Sequence, residues 1–230
     1  MTVNVSEPQS RSLVLVTDYR VPDPARVWPL LQRHRDSLAH LGARHVLIYT
    51  SSVDPGRVLA VMAIRAAQPV VDLLRDEAFM GWFDAVGVSD IPAVFAGALA
   101  ERIELADTQP APEAPGVVVA AVAEVVDAGT LIAHVHATAR DFTAAGIRKI
   151  LIFQAFDNPR EVFMLQEASE EVDEFGAARW ISQPEFAAEW ITRAGVGVYP
   201  PVFVGRLQHV MRVTDQQDDQ EDQAEGEPIR

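Results

Sequence analysis

The 230-residue chain contains no cysteine, which excludes disulfide bonds, thiolate nucleophiles and sulfur-ligated metal sites. It also lacks a glycine-rich phosphate loop, because the glycine pair Gly195 and Gly197 has neither a third glycine nor a strand-to-helix setting. No apolar run reaches the roughly 18 to 20 residues of a membrane-spanning helix, and residues 1–11 are polar, without a secretion signal. We therefore expect a cytoplasmic protein with no membrane partner, no cofactor and no metal.

Basic residues are scarce. The chain has 19 Lys and Arg against 33 Asp and Glu, and its formal charge of −14 argues against nucleic acid as a partner. Lys149 is the single lysine, a composition typical of GC-rich bacterial genomes. Residues 214–230 hold seven acids and one arginine, which predicts a disordered acidic tail, and residues 1–11 are also expected to be disordered.

The two halves of the chain repeat each other. Positions 104 apart match in the first part of each half, and positions 108 apart match in the second part. A Pro-rich segment, 106–115, separates the halves and predicts a linker between repeat 1, residues 12–105, and repeat 2, residues 116–213. The pairs that carry the match include Asp23/Asp127, Gly42/Gly146, Leu47/Leu151, Pro55/Pro159, Trp82/Trp190, Gly87/Gly195, Pro92/Pro200, Phe95/Phe203, Gly97/Gly205 and Leu99/Leu207.

Each repeat shows the order β-α-β-β-α-β, which is the ferredoxin-like α+β pattern. Asp23 and Asp127 are placed to cap the first helix of each repeat, and residues 182–185 form a capping box that predicts where the second helix of repeat 2 begins. The predicted strands are 13–16, 45–49, 58–64 and 93–105 in repeat 1, and 117–120, 149–153, 162–166 and 202–213 in repeat 2.

Several strands are apolar at consecutive positions, as in Ile150–Phe153 and Val202–Val204, so both faces of each sheet must be buried. The helices of each repeat bury one face of its sheet. The second face can be buried most simply by packing against the other repeat. We therefore expect the sheets to meet face to face as an intrachain pseudo-dimer, which further homo-oligomerisation could extend.

The segment Trp180–Phe186 resembles the Trp-x-Ser-x-x-x-Phe-type signature of antibiotic biosynthesis monooxygenase-like domains. Repeat 1 departs from the signature, with Asp72 and Leu74 in place of Trp180 and Ser182. The resemblance implies the dimeric α+β barrel fold, formed here by two covalently linked repeats. It also implies a ligand cavity between each sheet and its helices, and in some members cofactor-free oxygenation.

Polar residues on neighbouring strands of repeat 2 suggest a ligand site. Repeat 1 has Thr50, Met62, Ala98 and Ala100 at the corresponding positions, so the site is predicted in repeat 2 alone. The alternative is that these polar residues are exposed or lie between the repeats. The candidates are Gln154, Gln166, Arg206 and Gln208.

Two aromatic residues complete the predicted ligand site. Trp190 could stack on a flat ligand, although a matched position on an amphipathic helix also suits core packing. Tyr199 lies in a loop before two prolines, where pocket mouths are common.

Three functional hypotheses remain open. The first is a small-molecule-binding or non-catalytic protein whose partner is a small apolar or aromatic ligand. The second is a cofactor-independent monooxygenase acting on an aromatic or polyketide-like substrate in repeat 2. The third is an assembly module recruited through its acidic tail.

Overall fold

A computed structural model describes residues 12–65, 72, 74–75, 77–88, 90–105, 116–169, 171–197 and 201–213. The predicted disordered N-terminus, the linker, the acidic tail and Tyr199 lie outside the described residues.

Eight antiparallel strands form one closed barrel in the order β1-β3-β2-β8-β5-β7-β6-β4. Each repeat supplies four neighbouring strands, and the repeats join where β2 pairs with β8 and where β4 pairs with β6. The strands are β1 Ser12–Arg20, β2 Ala43–Thr50, β3 Arg57–Arg65, β4 Ala93–Glu104, β5 Val117–Glu124, β6 Ile147–Ala155, β7 Glu161–Ala168 and β8 Phe203–Arg212.

The helices pack on the outer face of the barrel. The predicted aspartates cap the first helical segment of each repeat, which in repeat 1 is a 3-10 turn before the first α-helix. Asp23 accepts a hydrogen bond from the Ala25 amide at a short 3-10 turn, and Asp127 accepts one from the Thr130 amide. The described helices are α1 Val27–Arg33, α2 Arg35–His40, α3 Glu77–Val86, α4 Ala128–Ala137, α5 Ala139–Ala144, α6 Glu174–Ile181 and α7 Pro184–Arg193.

Side chains alternate between the two faces of each strand, and this alternation sorts the core into three clusters. In β1, Val14 and Val16 point into the barrel, whereas Leu13 and Leu15 point to the helices. The inner cluster draws residues from both repeats, and each outer cluster lies mainly under the helices of one repeat.

The last strand of each repeat crosses to the helical layer of the other repeat. The ladder skips Ala100 in β4 and Gln208 in β8, so each strand carries a bulge at its junction with the other repeat. A bulge reverses the alternation of side chains beyond it. As a result, Ile103 packs in the outer cluster of repeat 2 and Met211 in that of repeat 1.

Two expectations need correction. The sheets do bury their inner faces against each other, but they are also hydrogen-bonded edge to edge into a single barrel, because β2 and β4 would otherwise leave unpaired backbone groups. The predicted capping box is right about where the second helix begins, since α7 starts at Pro184, but wrong about the cap. Ser182 follows α6, a helix that the sequence pattern did not reveal, and its hydroxyl donates to the Ala178 carbonyl. Gln183 is the residue before α7, and its side chain makes no cap.

Candidate functional site

A cavity of about 350 Å³ lies in repeat 1, between the outer face of the barrel and α1, α2 and α3. Its walls are almost entirely apolar, with Trp82 and Phe79 of α3 on one side and strand residues such as Met62 opposite. The described residues that line it are Leu15, Thr17, Leu31, His34, Ser37, Leu38, Leu41, Ala43, Val46, Ala60, Met62, Ile64, Phe79, Gly81, Trp82 and Ala85.

The exposed lining residues mark the mouth of this cavity. His34, at the junction of α1 and α2, is exposed, and so are Gly81 and Ala85 on α3. The mouth therefore lies between that junction and α3, whereas the strand residues form the floor.

Thr17 is the buried polar residue of the floor, with 1% of its surface exposed. Its cross-strand neighbours in β3 and β4 are Ala60 and Val94, whose side chains cannot form hydrogen bonds. Within the described residues the Thr17 hydroxyl has no hydrogen-bond partner. A buried, unpaired hydroxyl costs free energy, so Thr17 is a polar group available to a ligand.

The matching space in repeat 2 is nearly full, with a cavity of about 40 Å³. Phe142 of α5 packs edge-on against Trp180 of α6 and Trp190 of α7, at ring-centroid distances of 5.8 and 6.2 Å. These three rings occupy the layer between helices and barrel that stays open in repeat 1.

Position-by-position differences explain the contrast between the repeats. Phe142, Ile147 and Met164 are larger than their counterparts Leu38, Ala43 and Ala60 in repeat 1. All three small counterparts line the larger cavity, two of them on its floor. These three differences leave room in repeat 1, although other lining residues, such as Leu41 and Ile64, are larger than their counterparts Ala145 and Ala168.

Two of the predicted site residues meet in the small cavity of repeat 2. Gln166 and Trp190 both line it, and both are buried, at 3% and 7% exposure. Oε1 of Gln166 has no hydrogen-bond partner in the described part of the chain. A space of about 40 Å³ accommodates water but not an aromatic molecule.

The other predicted polar residues lie apart from this cavity. Gln154 sits four residues along the ladder from the partner of Gln166, roughly 13 Å away, and its Nε2 donates to the Pro159 carbonyl. Gln208 is exposed at the β8 bulge, so the expected alternation with Arg206 stops there. Their role in ligand binding stays a prediction.

Arg206 takes part in a contact between the repeats. Its Nε lies 3.4 Å from Oε2 of Glu174, at the start of α6. The Glu174 carboxylate is buried and also accepts hydrogen bonds from the amide and hydroxyl of Ser52, in the β2–β3 loop of repeat 1. This cluster ties α6 to the other repeat.

Tyr19 is buried beside Trp82 under the helices of repeat 1. Burial raises the pKa of Tyr19 above its ordinary range, and the neighbouring Trp82 side chain opposes this effect more weakly. Tyr19 therefore stays protonated and cannot serve as a base near neutral pH. Among the described residues, no group of three His, Asp or Glu side chains is placed to hold a metal ion, and no described helix could span a membrane.

Sequence reasoning missed the cavity of repeat 1. The sequence did contain a sign of it. Small residues, Ala43 and Ala60, occupy the positions in repeat 1 that are equivalent to Ile147 and Met164 in repeat 2. Our prediction weighed polar residues in repeat 2 and did not compare apolar volumes.

Comparison with known proteins shows similarity of structure alone. No family model matches the chain, and no curated protein matches its sequence. The model is similar to the crystal structure of an anthrone oxidase-like protein, with a TM-score of 0.62, 12% identity, and coverage of 90% of this chain and 96% of that chain. A proposed monooxygenase from Fusobacterium nucleatum gives a TM-score of 0.50, with 9% identity and coverage of 89% and 96%.

A ferredoxin-fold protein related to antibiotic biosynthesis monooxygenases, from Listeria monocytogenes, gives a TM-score of 0.47, with 9% identity and coverage of 87% and 97%. The resemblance read from Trp180–Phe186 is thus matched at the level of the fold. The chain has a ferredoxin-like α+β barrel fold, which it shares with the anthrone oxidase-like protein.

Proposed function

We propose that the protein binds a small apolar or aromatic molecule in the cavity of repeat 1. The observation that carries this proposal is an open apolar space of about 350 Å³ with one unpaired hydroxyl on its floor, in a protein whose second repeat fills the same layer. Ligand sites are typically apolar pockets with few, well-placed polar groups. An apolar cavity of about 150 Å³ already binds benzene, so this one has room for two fused rings.

Among the described lining residues no catalytic pair is evident. His34 lies at the exposed mouth, away from the floor. Binding is therefore the function that the geometry supports best. Cofactor-independent oxygenation in repeat 2 stays a prediction, and the small volume beside Gln166 does not favour it.

We also infer that the two halves arose by tandem duplication. Matched glycines support this inference. Gly42 and Gly146 both have positive φ, as do Gly87 and Gly195. The bulges at Ala100 and Gln208 are likewise 108 residues apart. The boundaries 12–105 and 116–213 remain those proposed from the sequence.

Exchange of one residue between the repeats tests the binding proposal. Leu38→Phe places the larger side chain of repeat 2 in the wall of the cavity, and Phe142→Leu is the matched reverse exchange. Calorimetric titration with naphthalene should show binding to the original protein and to Phe142→Leu. Leu38→Phe should bind at least about tenfold more weakly, because the phenyl ring occupies ligand volume.

Two results would contradict the binding proposal. No binding of naphthalene to the original protein would overturn the proposal, and so would equal affinity in Leu38→Phe. Circular dichroism and thermal unfolding of both variants establish that they are folded.

A further inference from the structure

We propose that Thr17 determines the specificity of the repeat 1 cavity, by selecting an uncharged two-ring ligand that carries one oxygen atom. This inference rests on the proposed function and names the chemical class of the ligand. It starts from the contrast between a polar group and its surroundings on the cavity floor.

The Thr17 hydroxyl is buried and forms no hydrogen bond with the described residues. It is 1% exposed, its cross-strand neighbours are Ala60 and Val94, and it has no hydrogen-bond partner in the described ranges. The strand alternation directs this side chain to the helical layer, with Leu15 and Tyr19, and away from the barrel interior. A ligand oxygen at this point would satisfy the hydroxyl, which can donate or accept.

Repeat 2 lacks this feature. Ala121 stands 104 residues beyond Thr17 and lines the small cavity. There the unpaired polar atom belongs to Gln166, whose counterpart in repeat 1 is Met62. Among its described residues, repeat 1 thus has two unpaired hydroxyls on this face, those of Thr17 and Tyr19, and of these Thr17 lines the space of ligand size.

The lining also defines the charge of the ligand. Its described residues include no Lys, Arg, Asp or Glu, and the His34 side chain lies at the exposed mouth. A carboxylate or an ammonium ion on the floor would lose its hydration without gaining a partner of opposite charge. The cavity should therefore exclude ionised molecules.

A pair of matched probes tests the role of Thr17. By calorimetric titration, the original protein should bind 2-naphthol about five- to tenfold more tightly than naphthalene, the increment of one hydrogen bond. Thr17→Val, which keeps the shape and removes the hydroxyl, should reduce this ratio to about one while retaining naphthalene binding. Thr17→Ser should restore part of the preference.

Charge is tested with 2-naphthoate at about pH 8, where histidine is neutral. It should bind at least about tenfold more weakly than 2-naphthol, because burial of the carboxylate is not compensated. Equal affinity of 2-naphthoate and 2-naphthol would overturn the exclusion of ions.

The results distinguish this inference from the function on which it rests. If both uncharged probes bind and Leu38→Phe blocks them, but Thr17→Val keeps the preference for 2-naphthol, the role of Thr17 is wrong and the binding function stands. If the original protein shows no preference for 2-naphthol, the inference also fails. If neither probe binds, both proposals are overturned.

Discussion

The two repeats share a fold, yet one leaves a ligand-sized space under its helices and the other fills it. In repeat 1 the cavity is about 350 Å³, and in repeat 2 it is about 40 Å³. One contribution comes from the matched pair Leu38/Phe142, because the Phe142 ring packs against two tryptophans in repeat 2. The two halves of the chain thus differ in how densely the layer under their helices is packed.

The largest effect is expected where the repeats are most alike. A Cβ atom at Gly97 would clash with the Gln154 carbonyl, and one at Gly205 would lie 2.5 Å from the Thr50 carbonyl. We expect Gly97→Ala and Gly205→Ala each to lower the free energy of unfolding by about 3 kcal/mol. Urea denaturation measures this loss. Effects that differ widely between the two variants would contradict the equivalence of the junctions.

The second prediction concerns packing under the helices. Phe142→Leu removes buried ring volume and should cost about 2 kcal/mol, whereas Leu38→Phe enters open space and should cost less than about 1 kcal/mol. Chemical denaturation of both variants gives the comparison. If the two exchanges cost the same, the described cavity of repeat 1 is not open in solution.

The third prediction concerns the unpaired amide of repeat 2. Gln166→Met introduces the residue that repeat 1 carries at this position and removes a buried oxygen without a partner, so it should stabilise the protein by about 1 kcal/mol. The reverse exchange, Met62→Gln, should destabilise it, by roughly 1 to 3 kcal/mol. Thermal unfolding of both variants is the measurement. Loss of stability in Gln166→Met would indicate that its oxygen is satisfied, for example by bound water.

The smallest predicted effect is a pH dependence of stability. The imidazole of His209 stacks on Trp28 at 4.4 Å, and partial burial lowers its pKa from the ordinary 6.5. On acidification His209 therefore takes up a proton in the unfolded chain before it does so in the folded protein. The stabilisation that neutral His209 provides is complete above about pH 6.5, and it is lost as the pH falls through the lowered pKa of the folded protein. The loss should be well under the roughly 1.4 kcal/mol that a full pKa unit represents.

His209→Phe keeps an aromatic ring beside Trp28 and should flatten the slope of stability between about pH 7 and pH 5. Its counterpart position in repeat 1 is Glu101, which lies near His136, so the effect belongs to one repeat alone. Parallel pH profiles for the original protein and the variant would contradict the assignment.

Much of the fold was predictable because it depends on local pattern. The apolar runs at 117–120 and 149–153 lie within β5 and β6, and Asp127 caps α4 as expected. The signal at 182–185 gave the right helix start, Pro184, but the wrong cap, because the Ser182 hydroxyl bonds to the end of the preceding helix. A hydroxyl can bond to the end of one helix or to the beginning of the next, and local sequence does not distinguish the two.

The candidate site was less predictable. Gln166 and Trp190 do share a cavity, but Gln154 and Arg206 are separated from it by the register of the ladder. The sequence showed the alternation of β8 but not the bulge at Gln208 that ends it. Thr17 attracted no attention, because one threonine in an apolar strand reveals nothing about its partners.

The sequence by itself determined the two-fold repetition, the order of strands and helices and the burial of both faces of the sheet, since these follow from residue spacing and side-chain polarity. Only the tertiary structure decided that the sheets close edge to edge, that the last strands exchange helical layers, and which repeat stays open. Those outcomes depend on backbone pairing and on the volumes of side chains distant in sequence, neither of which a local pattern records.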